Sequence, residues 1–345
     1  MERREFGTIN GRTAYLYTIS NENGMKAEIL DYGAILQSLY VPGKNGETVD
    51  VCLGFDTIEE YSVNEPFMGA TVGPCANRTA GAAYEIDGVS YKMAVNDGPN
   101  NLHSDVNLGY HKTFFDVDAK KDRITLSITD PDGTMGFPGT KAFSVTYTVT
   151  ADNALQLDYH VTTDKKTIIN PTNHSYFNLS GHAAGSMEQH ILTLKASHYT
   201  PVVEGSIPTG EIAPVAGTPM DFTEPKAIGK DIAADFEQLG LTGGYDHNWV
   251  IDHYDGSLRT IAVLQDPASG RRMEVSTTLP GVQFYAGNFI GDRKAKGGNM
   301  YHSRCGLALE TQYFPDTIHH ANFPSYLFDA EHPYQSTTVY RFFQD

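Results

Sequence analysis

The chain has 345 residues, and its 42 acidic and 25 basic residues give a formal net charge of −17. Such a surface repels phosphate backbones and anionic bilayers, which argues against nucleic acid or a membrane as partner. Three cysteines, Cys52, Cys75 and Cys305, with no CxxC pair, argue against a disulfide framework or a zinc–thiolate centre.

The opening MERREFGTINGR holds no apolar signal core, and no stretch reaches the length of a membrane span. The expected location is therefore the cytoplasm. The sequons at Asn77-Arg78-Thr79, Asn173-His174-Ser175 and Asn178-Leu179-Ser180 then read as chance matches. The pattern along the chain is β. Thr13–Ile19 is a strand bounded by Gly11 and Asn21. Met25–Val41 is a longer β-type run with a break at Gly33, closed by a turn at Pro42-Gly43-Lys44-Asn45-Gly46. Phe143, Val145, Tyr147 and Val149 share one face of a strand, and Leu155, Leu157, Tyr159 and Val161 share one face of the next. With Ala151-Asp152-Asn153 between them, these runs predict a hairpin. Ile191–Ala196 and Gly281–Phe289 read as further strands, and a short helix is expected within Ile228–Leu239. Neither a linker, a charge block nor a fixed-period repeat is visible, so residues 1–345 are expected to form one large antiparallel β domain, a sandwich or a barrel.

Against this alternation, several segments are dense in catalytic residue types beside aromatic or apolar neighbours. They are Asn77-Arg78, Asn101-Leu102-His103, Asn170 to Asn178, Gly244 to Trp249, Gly281 to Tyr285 and Leu309 to Gln312. Hydroxyl-rich ligands need both kinds of group: planar donors and acceptors for the hydroxyls, and flat rings for the C–H faces. Opening a pyranose requires a base for the anomeric hydroxyl and an acid for the ring oxygen, expected on different sides of the sugar. Glu310, in the strand-like run Gly306 to Glu310, suits the first task, and His174, among three asparagines, suits the second. Each residue also has a plainer reading. A glutamate at a strand end is ordinarily solvated, a histidine beside Asn and Ser is ordinarily a satisfied turn or core residue, and Arg78 alone suggests a surface ion pair. Gln283 could occupy the outward position of a strand, and Asp246 an Asx turn. His319 and His320, as strand neighbours, would face opposite ways and share no metal. His103, His174 and Glu310 could form a two-His, one-carboxylate site, although no short ligand spacing supports it.

In order and number, these segments resemble the aldose 1-epimerase (galactose mutarotase) family. The resemblance runs from about Gly73 to Phe323 and includes Asn77-Arg78, Asn101-Leu102-His103, Gly136 to Gly139, Thr172 to Leu179, Ile207 to Glu211, Gly244 to Trp249, and Leu309 to Gln312 with Pro315-Asp316. It implies an all-β fold, a large antiparallel supersandwich in one domain, with an open sugar cleft and neither metal nor cofactor. It places the general base at Glu310 and the general acid at His174. Asn77, Arg78, His103, Asp246 and Gln283 become sugar-binding residues, with Phe284 or Tyr285 as an apolar wall. Ser104-Asp105 stand where the family commonly has glycines, Gly73-Pro74-Cys75-Ala76 precedes Asn77, and Pro171 and Thr79 also depart from the pattern. All of these changes lie beside the named site residues. The implied activity is interconversion of the α and β anomers of a free aldohexose such as galactose or glucose, by a monomer or homodimer. The alternatives are a hexose-6-phosphate 1-epimerase, a glycosidase or lyase using Glu310 with Asp246, and a non-catalytic sugar-binding protein.

Overall fold

The computed structural model describes residues 2–43 and 47–344. Its largest sheet grows from the expected hairpin. Lys141–Val149 and Ala154–Thr163 pair antiparallel, with Phe143 opposite Val161, Val145 opposite Tyr159, Tyr147 opposite Leu157 and Val149 opposite Leu155. All of these side chains are buried, because each run places an apolar residue at every second position and so fills one face of the pleat. The sheet extends through Arg123–Asp130 to Asp116–Ala119 on one side. On the other it continues through Tyr334–Gln344, Arg271–Thr277, Arg259–Gln265 and Ile191–Leu194 to Lys226–Ala227.

An N-terminal meander runs Glu2–Ile9, Arg12–Ser20, Lys26–Leu30, Leu36–Pro42 and Thr48–Asp50. The break expected in its middle falls at Gly33, with φ at +68°; a side chain there would also meet the His111 carbonyl at 2.7 Å. The turn expected after Pro42 lies partly outside the described residues. A third antiparallel sheet has the order Ala213–Pro214, His198–Thr200, Asp246–Val250, Gly281–Tyr285, Ala308–Gln312. One apolar core joins the three, drawing Ile19 and Leu39 from the meander, Tyr147 and Leu157 from the large sheet, and Trp249, Phe284 and Leu309 from the third. The architecture is the antiparallel β-sandwich expected from the sequence.

The helix expected within Ile228–Leu239 resolves into a 3-10 turn, Ile228–Lys230, and a separate α-helix, Glu237–Thr242. Asp231 and Asp235 fall between them, and Ala234 N–H closes a turn onto the Asp231 carbonyl, a role aspartate favours over helix interiors. A second short helix, Ile58–Val63, carries a capping box between Thr57 and Glu60 that the sequence reading passed over. The expected strand at Gly281–Phe289 stops at Tyr285, ahead of the left-handed Gly287. Among the described residues no helix is long and apolar enough to cross a membrane.

Tyr147 connects the layers. Its hydroxyl donates to the Ala34 carbonyl at 2.8 Å and accepts from Asn173 Nδ2 at 3.2 Å, next to His174 in sequence. Tyr147→Phe is expected to lower the unfolding free energy by about 1–3 kcal/mol, since it removes two buried hydrogen bonds. Urea denaturation measures this, and an unchanged midpoint would contradict it.

Candidate active site

Three strands of the third sheet place polar side chains on one face by alternation. Asp246 pairs with Tyr285, Asn248 with Gln283, and Gln283 in turn with Glu310. The intervening Trp249, Val282, Phe284 and Leu309 face the core. Gln283 Nε2 donates to Asp246 Oδ1 at 2.8 Å, and Gln312 Nε2 reaches both Asn248 Oδ1 and Gln283 Oε1 at 3.3 Å. Asp246 is thus a strand residue and not the turn residue of its plainer reading. Of the two proposed wall aromatics, Tyr285 lines the cleft and Phe284 belongs to the core.

Loops supply the rest. The Thr172-Asn173 strand pairs with Thr71-Val72, and His174 continues from it, its N–H donating to the Ala70 carbonyl. His174 Nε2 then lies 3.5 Å from Glu310 Oε1. Asn77 N–H donates to His103 Nδ1 at 3.0 Å, while His103 N–H donates back to the Asn77 carbonyl at 2.9 Å. Arg78 Nε pairs with Asp97 at 2.7 Å. These groups surround a cleft of about 460 Å³ lined by Asn77, Arg78, His103, His174, Asp246, Gln283 and Glu310. Every residue expected at the site from the sequence therefore converges there. The cleft also takes in Phe67, Asp97, Tyr176, Phe289 and Arg293, which the sequence reading did not single out. Phe67 gave no pattern to find; its ring lies 4.6 Å from that of His103 and 6.0 Å from that of His174.

The sequence profile of the aldose 1-epimerase family matches residues 15–341. Galactose mutarotase of Homo sapiens is 38% identical over 321 residues, covering 92% of this chain and 91% of its own. Aldose 1-epimerase of Escherichia coli is 34% identical over 337 residues, covering 96% of each. This chain belongs to the aldose 1-epimerase family. Among solved structures, an aldose epimerase homologue from C. elegans superposes with a TM-score of 0.88 at 31% identity, covering 96% of this chain and 99% of its own. The galactose 1-epimerase from Lactobacillus acidophilus gives 0.86 at 26%, covering 99% and 98%. The chain is accordingly an enzyme, a carbohydrate isomerase.

Burial sets the electrostatics of this epimerase cleft. It pushes the His174 imidazole down to about 4, and it pushes the Glu310 carboxyl well above the usual carboxylate range, with Asp246 adding to the rise and Arg78 opposing it. Asp246 is raised by burial too, again opposed by Arg78. His103 is held well below its ordinary value by burial, then by His174 and Arg78. Burial thus disfavours the charged form of both members of the Glu310–His174 pair.

Two expectations need correction. The acid and base candidates, expected on different sides of the sugar, lie 3.5 Å apart. His319 and His320 do not sit on a strand either. They end a 3-10 turn, and both approach the Asp316 carboxylate, at 2.6 and 3.5 Å. Asp316 in turn accepts from Ala80 N–H and donates its own N–H to the Arg78 carbonyl, which steadies the Arg78 loop. The asparagines around His174 brace backbone: Asn173 bonds to the Gly69 carbonyl and Ser175 N–H, and Asn178 to the Gly185 and Cys305 carbonyls.

His103, His174 and Glu310 do offer ligand atoms within 4.8 Å of one another. However, the amide donor on His103 Nδ1 leaves Nε2 as the protonated, donating nitrogen. A cation there would have to displace that proton and the Asn77 hydrogen bond together, so the trio fits a hydroxyl-bearing ligand better than a metal.

Phe67→Ala should admit water beside the imidazoles and raise the His174 pKa from about 4 toward the ordinary histidine value. NMR titration of the His174 ring reads this directly, and an unmoved midpoint would contradict desolvation as the cause.

Proposed function

We propose that this protein interconverts the α and β anomers of free aldohexoses such as galactose and glucose, with Glu310 as general base and His174 as general acid. The observation that carries the assignment is the direct 3.5 Å contact of a buried carboxyl with a buried imidazole. In the reactive state the pair holds one proton, with Glu310 as carboxylate and His174 as imidazolium side by side. The carboxylate takes the C1 hydroxyl proton, and the freed electron pair forms the C1 carbonyl. The bond from C1 to the ring oxygen breaks, and that oxygen takes the proton from His174. Rotation about C1–C2 and reclosure, with the proton transfers reversed, yields the other anomer. Acid–base assistance of roughly 10²–10⁴-fold per group, together with positioning, is enough for a reaction that already proceeds in water. Arg78 favours the charged form of Glu310 and would stabilise negative charge on the reacting oxygens. His103, Asn77, Asp246 and Gln283 hold hydroxyls, and Tyr285 and Phe67 supply apolar walls.

Charge favours a neutral sugar over a phosphorylated one. Glu65, Asp97, Asp246 and Glu310 line the cleft against only Arg78 and Arg293, and Arg78 is already paired with Asp97. A phosphate ester calls for a cluster of free cations.

Fresh α-D-galactose should lose optical rotation much faster with the wild-type protein than in buffer, and Glu310→Gln should remove roughly 10²–10⁴-fold of that rate. If the wild type matches buffer on every free aldose tried, the reading is wrong. Activity should be bell-shaped in pH. Below about 4 His174 gains a proton and the pair holds two; above the raised Glu310 pKa the pair holds none. The acid limb should therefore lie near 4 and the alkaline limb well above the ordinary carboxylate range. A profile flat across both would contradict the one-proton pair.

A further inference from the structure

We propose that Ser104 is a positioning residue, whose hydroxyl fastens the His103 loop so that His103 keeps Nδ1 as acceptor and presents Nε2–H to the sugar. This rests on the reading above that His103 meets the substrate.

The seam between the two loops begins as an antiparallel ladder, Asn101 opposite Thr79 and Leu102 opposite Arg78. It continues as the exchange between His103 and Asn77. There the regular ladder ends, because Asn77, His103 and Ser104 all take left-handed backbone, at φ values of 60°, 55° and 66°. Backbone of this hand turns the next amide and carbonyl away from the partner segment. The Ser104 side chain takes their place: Oγ accepts from Cys75 N–H at 2.9 Å and donates to the Cys75 carbonyl at 2.8 Å. One hydroxyl has the donor and lone pairs for both bonds. Asn101 Nδ2 secures the loop from behind, donating to the Ser104 carbonyl at 2.6 Å and the Ala94 carbonyl at 2.7 Å. Ser104 is wholly buried and Cys75 nearly so, so water does not readily replace the lost partner.

The Cys75 segment is itself anchored. Cys75 bridges Asn170, and Ala76 N–H donates to the Asn170 carbonyl, four residues ahead of His174. Ser104 therefore ties the histidine loop to the segment that delivers the Asn77 amide to Nδ1. A side chain at φ 66° is strained where glycine would not be, and the two bonds through Oγ are what the strained serine contributes in return. Without the hydroxyl the seam opens at Cys75, Asn77 N–H drifts from Nδ1, and the imidazole is free to turn or to change tautomer.

The test compares Ser104→Gly, which relieves the strain, with Ser104→Ala, which keeps it; both lack the hydroxyl. Each should lose about tenfold in kcat/KM for galactose mutarotation while remaining folded by circular dichroism. In a His103→Asn background the same changes should cost less than twofold, since a residue acting through His103 has nothing left to position. Should Ser104→Ala fail to fold, Ser104→Gly decides alone. Activity within twofold of wild type in Ser104→Gly, or an equal loss in both backgrounds, overturns the proposal. Nitrogen-15 spectra of the His103 ring provide a readout independent of any substrate. Wild type should show an unprotonated Nδ1 and a protonated Nε2 from pH 5 to 9, with the signals moving or averaging in Ser104→Gly. A protonated Nδ1 in wild type, or identical spectra in the variant, also overturns it. If wild type shows the expected spectrum yet accelerates no free aldose, the mutarotase reading falls and the clamp stands.

Discussion

The strands Asp246–Val250, Gly281–Tyr285 and Ala308–Gln312 must keep one register, and the site depends on it. Their side chains alternate between the aromatic core around Trp249 and Phe284 and the cleft with Asp246, Gln283 and Glu310. A slip of one residue would bury Asp246, Gln283 or Glu310 among aromatics and turn a core side chain into the cleft, so burial itself enforces the register. Gly281 belongs to this constraint: a Cβ there would lie 2.5 Å from Asn248 Oδ1. The polar row of Asp246, Asn248, Gln283 and Gln312 is hydrogen-bonded across the three strands.

That rigidity bears on Glu310 and His174. Neither is stabilised in charged form by a close opposite charge other than the other member of the pair, and Arg78 acts on Glu310 from further off. Desolvation therefore dominates both, driving the histidine down and the glutamate up. Both shifts penalise charge within the buried pair. Phe67 and Tyr176 supply the apolar surroundings, and the loop bearing His103 adds a donor whose tautomer is set by a backbone amide.

The surrounding loops are shaped by local hydrogen bonding more than by regular structure. Asp316 joins the Arg78 loop to the turn that follows Glu310, Ser104 joins the His103 loop to the segment before Asn77, and Tyr147 joins the hairpin to the segment that leads into His174. Such contacts connect residues far apart in the chain, and each sits directly behind a side chain of the cleft.

The sequence by itself determined the fold class and the chemistry. Period-two runs such as Phe143 to Val149 bury one face wherever they fold, so strands and hairpin were legible from alternation alone. The clustering of amides, imidazoles and carboxylates with aromatics, in a family's order, named Asn77, Arg78, His103, His174, Asp246, Gln283 and Glu310, all of which line the cleft. Only the tertiary structure decided how these residues meet. That Glu310 and His174 touch depends on the pairing of strands from separate parts of the chain, and that His319 and His320 share Asp316 depends on a left-handed turn that no local propensity demands. Phe67, Asp97 and Arg293 carry no motif, because a cleft wall asks only for bulk or charge at a point in space. Ser104 was visible only as a departure from glycine. Its meaning required the backbone of Cys75, a partner chosen by the fold and not by spacing.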